Sequence, residues 1–143
     1  MFMGEYNHSI DAKGRIIVPS KFREQLGDRF VVSKGLDRCL WVFPKDEWEL
    51  FSSKLRSLPT ERKDARKLVR FFMSGAIEVD TDKQGRVLLS QALREHAKLD
   101  KDVVLTGMAN RVEIWDKKTW EDASTFDDMD EIAEHMGEWG IGI

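Results

Sequence analysis

Within 143 residues, Asp11-Ala12-Lys13-Gly14-Arg15 and the following Ile16-Ile17-Val18 return as Asp82-Lys83-Gln84-Gly85-Arg86 and Val87-Leu88-Leu89. The register persists beyond this stretch: Arg23-Glu24 matches Arg94-Glu95, Val31-Val32 matches Val103-Val104, Gly35 matches Gly107, and Trp48-Glu49 matches Trp120-Glu121. The second copy gains a residue in the stretch equivalent to Leu26 to Val31, an insertion that a loop absorbs because closure entropy rises slowly with length. A self-match of this length reads as two copies of one small structural unit. Each half alone would be marginal in size, so the two are expected to share a core.

Hydrophobic residues make up 41% and charged residues 34%, and no apolar run approaches the ~18 residues of a membrane helix, so a soluble chain without a membrane partner is expected. Met1-Phe2-Met3-Gly4-Glu5 lacks the basic and apolar segments of a secretion signal, and the lone Cys39 excludes an internal disulfide framework. A reducing cytoplasm fits both. The net charge of −3 conceals an asymmetry: residues 119–143 hold eight acids and no Lys or Arg, leaving 23 bases against 18 acids before them. The basic body is compatible with phosphate binding, and equally with an ordinary solvated surface.

Apolar spacing predicts strands at Glu5 to Ile10 and Arg15 to Val18 around a tight turn, Asp11 to Gly14. Asp-x-x-Gly between β-prone runs suggests a hairpin, since Gly accepts positive φ and Asp bonds its own backbone two residues on. Pro19-Ser20 opens a helix with Phe22 and Leu26 on one face and Gly27 as its stop. Strands at Phe30 to Ser33 and Cys39 to Phe43 complete the unit. The second half repeats the order with strands at Ala76 to Val79 and Arg86 to Leu89, a helix near Ala92 to Lys98, and strands at Val103 to Thr106 and Val112 to Trp115. Two connector helices, Lys45 to Ser57 and Glu61 to Met73, are broken at Leu58-Pro59, with Thr60 as the expected N-cap. Each has one apolar stripe to bury. Seven bases against two acids between Lys54 and Arg70 make the connector's outer face positive, as a solvated face or a DNA contact. Near the C-terminus, Thr125 and Asp128 have capping-box spacing, and Phe126, Met129, Ala133 and Met136 mark the apolar face of an acidic helix expected to dock on its own body, with a neighbouring subunit as the alternative and with its acids able to compete with DNA for the basic surface.

No catalytic centre is legible. His8, His96 and His135 are scattered without ligand spacing, and no nucleophile elbow, phosphate-binding loop or dinucleotide turn occurs, so neither enzyme activity, metal, cofactor nor small-molecule substrate is expected. What the chain repeats is a turn carrying cations: Lys13 and Arg15 in the first copy, Lys83 and Arg86 in the second. Arg offers a planar fork for phosphate or the guanine edge, and Lys a mobile charge. From spacing alone, two readings stand side by side: the tips contact a nucleic acid, or Asp11 pairs with Arg15, and Asp82 with Arg86, to pin the turns.

The two Asp-x-x-Gly-Arg turns, Pro19, Asp64-Ala65-Arg66, Phe71-Phe72, Gly75-Ala76, Asn110-Arg111 and the opening Met1 to Tyr6 together resemble the MraZ family over nearly the whole chain. The resemblance implies an α+β, double AbrB-like fold: tandem swapped-hairpin half-barrels forming one pseudo-two-fold β-barrel, with the helical connector outside. The segments are then 1–50, 51–75, 76–120 and an acidic tail at 121–143. It implies a DNA-binding transcriptional regulator, commonly a repressor, acting on direct repeats upstream of its own cell-division and cell-wall gene cluster. It also implies assembly into a ring-shaped homo-oligomer in the cytoplasm, associated with the nucleoid. Carried onto this chain, the DNA-contacting motif falls on Lys13, Gly14 and Arg15, with Arg15 foremost. Lys83 and Arg86 follow at the second tip, ranked lower because Gln84 stands where the first tip has Lys13. Ser90 replaces the Pro often found there and can still cap a helix. The competing reading is an antitoxin-like interaction module that uses the tail.

Overall fold

A computed structural model describes residues 1–141. The elements run β1 (Glu5–Ser9), β2 (Arg15–Ile17), α1 (Ser20–Leu26), β3 (Arg29–Lys34), β4 (Leu40–Pro44), α2 (Lys45–Arg56), α3 (Lys63–Gly75), β5 (Ile77–Asp80), β6 (Arg86–Leu88), α4 (Gln91–His96), β7 (Asp102–Gly107), β8 (Val112–Asp116), α5 (Lys117–Ala123) and α6 (Met129–Ala133). The order strand, turn, strand, helix, strand, strand, helix thus occurs twice, as the repeat requires. Short 3₁₀ turns at Leu36–Arg38 and Met136–Trp139 complete the description.

The halves interlock. Six antiparallel strands lie in the order β1-β7-β8-β4-β3-β5, and β2 pairs with β6 in a separate two-stranded ribbon. The first strand of each half is therefore surrendered to the other: Tyr6 pairs with Leu105, and Val79 with Phe30. At the centre β4 meets β8 with Trp41 opposite Glu113, so the pseudo-two-fold axis passes between these strands.

Both sheet faces are covered, which explains the uninterrupted apolar runs of β3 and β7. One face packs against α1, α4 and the ribbon through Phe22, Phe30, Leu93 and Val103, joined by Ile16 and Val87 from the ribbon itself. Phe22 meets Phe2 and Tyr6 edge to face, with ring centroids 5.8 and 5.0 Å away. The opposite face packs against the connector helices and α5 through Trp41, Phe43, Leu55, Phe72 and Trp115. There the buried Glu113 carboxylate accepts the indole N–H of Trp41 at 3.1 Å and of Trp115 at 3.0 Å. Arg111 lies over the Trp41 ring, 4.2 Å from its centroid. Cys39 is fully buried, and that burial pushes its thiol pKa up, so it acts as packing.

Four expectations need correction. The strands do not close into a barrel: the sheet is open at β1 and β5, and among the described residues the ribbon pairs with the first strand's continuation through the isolated bridge between Ile10, just past β1, and Ile16. The same geometry reduces the expected hairpin to its turn. Ile16 and Val87 turn inward to fill the core, so β2 leaves β1 and pairs across the halves instead. Thr60 is not the N-cap of α3; Arg62 occupies that position without a side-chain cap, because the helix begins at Lys63. Ser90, by contrast, caps α4 by accepting from the Leu93 N–H. Finally, the tail does not dock on its own body: Phe126 and Trp139 are 60% and 62% exposed. The capping box does not form: Asp128, not Thr125, is the N-cap of α6 and makes no side-chain cap, and residues 142–143 of the acidic tail segment lie outside the described residues.

Candidate nucleic-acid interface

Each repeated turn is built around its aspartate. Asp11 Oδ1 accepts the backbone N–H of Lys13 at 3.0 Å and of Arg15 at 2.9 Å, while Oδ2 accepts Arg15 Nε at 2.7 Å. Asp82 repeats the pattern with the N–H groups of Gln84 and Arg86, both at 2.9 Å, and with Arg86 Nε at 2.8 Å. The Asp–Arg pairing considered from spacing is therefore present in both tips. It uses Nε alone: among the described residues the two terminal amino groups of Arg15 and of Arg86 make no hydrogen bond. The aspartate thus orients a guanidinium whose outer edge stays available, which lowers the ordering cost of a later contact.

The Arg15 backbone N–H is the main cause that holds the Asp11 carboxyl below the usual carboxylate range. Desolvation opposes it, and the Arg15 side chain and Lys13 N–H reinforce it. Asp82 is lowered in the same way by the Arg86 N–H, its side chain and Gln84. A carboxyl whose folded pKa is depressed adds stability that is present above its unfolded pKa, ~3.9, and is lost as pH falls through the folded value. Carboxyl NMR titration is expected to place both midpoints below the ~3.9 of an unperturbed aspartate. Midpoints at or above that value would show that the turns are not held this way.

The two tips lock across the halves. Gly14 C=O accepts the Leu89 N–H, and Gly85 C=O accepts the Val18 N–H, both at 2.9 Å. The Arg94 side chain lies against Gly14, where a Cβ would sit 2.8 Å from its Nε, and Arg23 lies against Gly85. Each turn is thus backed by an arginine of the opposite half. Sequence reasoning passed over Arg23 and Arg94 as site residues, although their match across the repeat was the available signal. Gly14 and Gly85 adopt φ of 86° and 77°, a region costly for any residue with a Cβ. Gly85→Ala is expected to lower stability by roughly 1–2 kcal/mol in urea unfolding through this strain. Adding Arg23→Ala should relieve only the steric part; full recovery would contradict a backbone origin.

The tips are joined by the ribbon. Arg15 lies opposite Leu88 and Ile17 opposite Arg86, with Ile16 and Val87 pointing inward between them. Alternation therefore puts Arg15, Ile17, Arg86 and Leu88 on one outward face, where Ile17 and Leu88 are 44% and 58% exposed. Lys13 and Lys83 stand exposed at the turns. The structure thus unites all five sequence-derived positions on one interlocked unit, with the two arginines at opposite ends of the ribbon. No cluster of three or more His, Cys, Asp or Glu side chains able to hold a metal is present among the described residues. Among the same residues no helix is long and apolar enough to cross a membrane.

The family model described as "MraZ protein, putative antitoxin-like" matches residues 1–71 and again 72–136. A transcriptional regulator MraZ of Lachnoclostridium phytofermentans is 57% identical over 143 residues, covering 100% of both chains. That of Thermoanaerobacter pseudethanolicus is 54% identical, covering 99% of this chain and all of its own. That of Desulforamulus reducens is 56% identical over 138 residues, covering 95% of this chain and 97% of its own. These relatives are named as regulators, in keeping with a chain whose sequence shows no enzyme centre. With two family matches in tandem and relatives aligned from end to end, the chain belongs to the MraZ family.

Proposed function

We propose that this chain regulates transcription as a DNA-binding protein, using the Lys13 to Arg15 turn to address direct repeats upstream of its own cell-division and cell-wall gene cluster, commonly as a repressor. The observation that carries the reading is the held guanidinium: Arg15 is pinned through Nε and keeps its terminal amino groups available, on an outward β-ribbon. A two-stranded ribbon fits the major groove, a guanidinium can sit bidentate on guanine, and exposed aliphatics such as Ile17 and Leu88 can meet thymine methyl groups. Lys83 and Arg86 form the second, lower-ranked contact. The site of action is the cytoplasm, on the nucleoid.

One tip discriminates bases by only about 1–3 kcal/mol, so affinity is built by several subunits in a ring, each addressing one repeat. A cyclic assembly with head-to-tail contacts suits repeats of one orientation. DNA carrying direct repeats should therefore bind more tightly than DNA with the same half-sites inverted, in fluorescence anisotropy at fixed salt. Equal binding would remove this geometry. The exposed acidic tail and the wording of the family description favour a second reading, an antitoxin-like interaction module, which predicts a protein complex in place of selective DNA binding.

A further inference from the structure

Two surfaces of complementary character lack partners among the described residues. One is a groove of about 360 Å³ where the end of α2 meets α3. Its apolar lining includes Leu55, Leu58 and Val69, and its rim carries Arg56, Arg66 and Arg70. Among the described residues none of these three arginines has a carboxylate within ion-pair distance; Arg66 donates to the Thr60 carbonyl at 2.9 Å, bridging the turn between the helices. The other is the tail, with eight acids and no Lys or Arg in residues 119–143 and with Phe126 and Trp139 in solvent.

We propose that the acidic tail of one copy of this chain lies in the α2–α3 groove of the next, with an aromatic side chain on the apolar lining and carboxylates against the arginines. Charge complementarity selects this occupant. Phosphate binding alone would require the arginines but not the apolar lining, whereas the tail supplies both an apolar side chain and the anions. A second copy, in place of the chain's own tail, follows from position. The tail leaves α5, which packs on β7 and β8, while α2 and α3 cover β3 and β4, and within one chain the tail remains exposed. Because groove and tail are different patches, the contact is heterologous and adds subunits head to tail until they close. The arrangement deepens the ring reading above by naming what holds it.

Sedimentation velocity on the full chain tests it, with a groove variant (Arg56→Glu with Arg70→Glu) and a tail variant (Phe126→Ala with Trp139→Ala), each checked for native circular dichroism. Wild type is expected at a multiple of 16.6 kDa and each variant at 16.6 kDa. An equimolar mixture of the two variants should give a 1:1 dimer, because only one intact groove and one intact tail remain to pair. In the groove variant, Asp130→Arg with Glu131→Arg should restore the wild-type mass. Monomeric wild type, or variants that keep the wild-type mass, would overturn the contact. So would a groove variant that loses DNA affinity at unchanged mass, which would make the groove a DNA surface. Assembly is read from mass alone, so wild type that assembles as expected yet shows no DNA preference would count against the regulator reading and leave this contact standing.

Discussion

Replacing Arg15 by Ala is expected to weaken binding to the chain's own upstream DNA by about tenfold to a hundredfold per contacted repeat, the equivalent of about 1–3 kcal/mol for a bidentate arginine. Preference over a scrambled sequence should fall with it, while mass and unfolding midpoint stay near wild type. The turn should survive because Asp11 still accepts the backbone N–H groups of residues 13 and 15 when the side chain is gone. Arg15→Lys separates charge from shape: it keeps a cation, and hence much of the salt dependence, but lacks the planar fork and should lose base preference. Anisotropy titrations at two salt concentrations check both variants. Unchanged preference in Arg15→Ala, with oligomeric mass retained, would remove Arg15 from the interface and leave Arg86 as the tip to test.

The largest stability effect is expected at Phe22. Its side chain is 1% exposed and wedges α1 under the sheet against Phe2 and Tyr6. Truncation to Ala removes this burial and leaves a cavity, a change that costs about 3–5 kcal/mol in comparable cores. Set against a typical total of roughly 5–15 kcal/mol, this leaves the fold marginal. Urea unfolding should show a large drop in midpoint. Leu68→Ala, at a site 39% exposed on α3, should stay within about 0.5 kcal/mol. A loss at Phe22 no larger than at Leu68 would mean that α1 does not hold the core.

Much of the architecture is legible locally. Phe22 and Leu26, four residues apart, give the buried face of α1, and Gly27 ends it with φ of 83°. The connector helices fall close to where apolar spacing and Pro59 put them. The turns were legible too, because Asp and Gly determine them through bonds no longer than four residues. Less legible was whatever depends on a distant partner. The backing of Gly14 by Arg94 and of Gly85 by Arg23 spans the two halves, and neither arginine carries a local mark of its role. The tail's capping spacing and apolar face led to an expected docking on its own body that the structure does not show, since amphipathicity says that a face needs a partner but not which molecule supplies it.

By itself, the sequence determined a duplicated unit, its turns, most of its helices and strands, and the identity of the cationic tips, because each follows from short-range backbone preference and periodic burial. Only the tertiary structure decided that β1 and β5 exchange partners between halves, that the sheet stays open beside a separate ribbon, and that Arg15 and Arg86 stand at opposite ends of one outward face. Strand pairing has no local code: the period of two says which face is buried, while the choice of neighbour is made by the whole core, where Ile16 and Val87 gain more from filling the space under the sheet than from extending a hairpin.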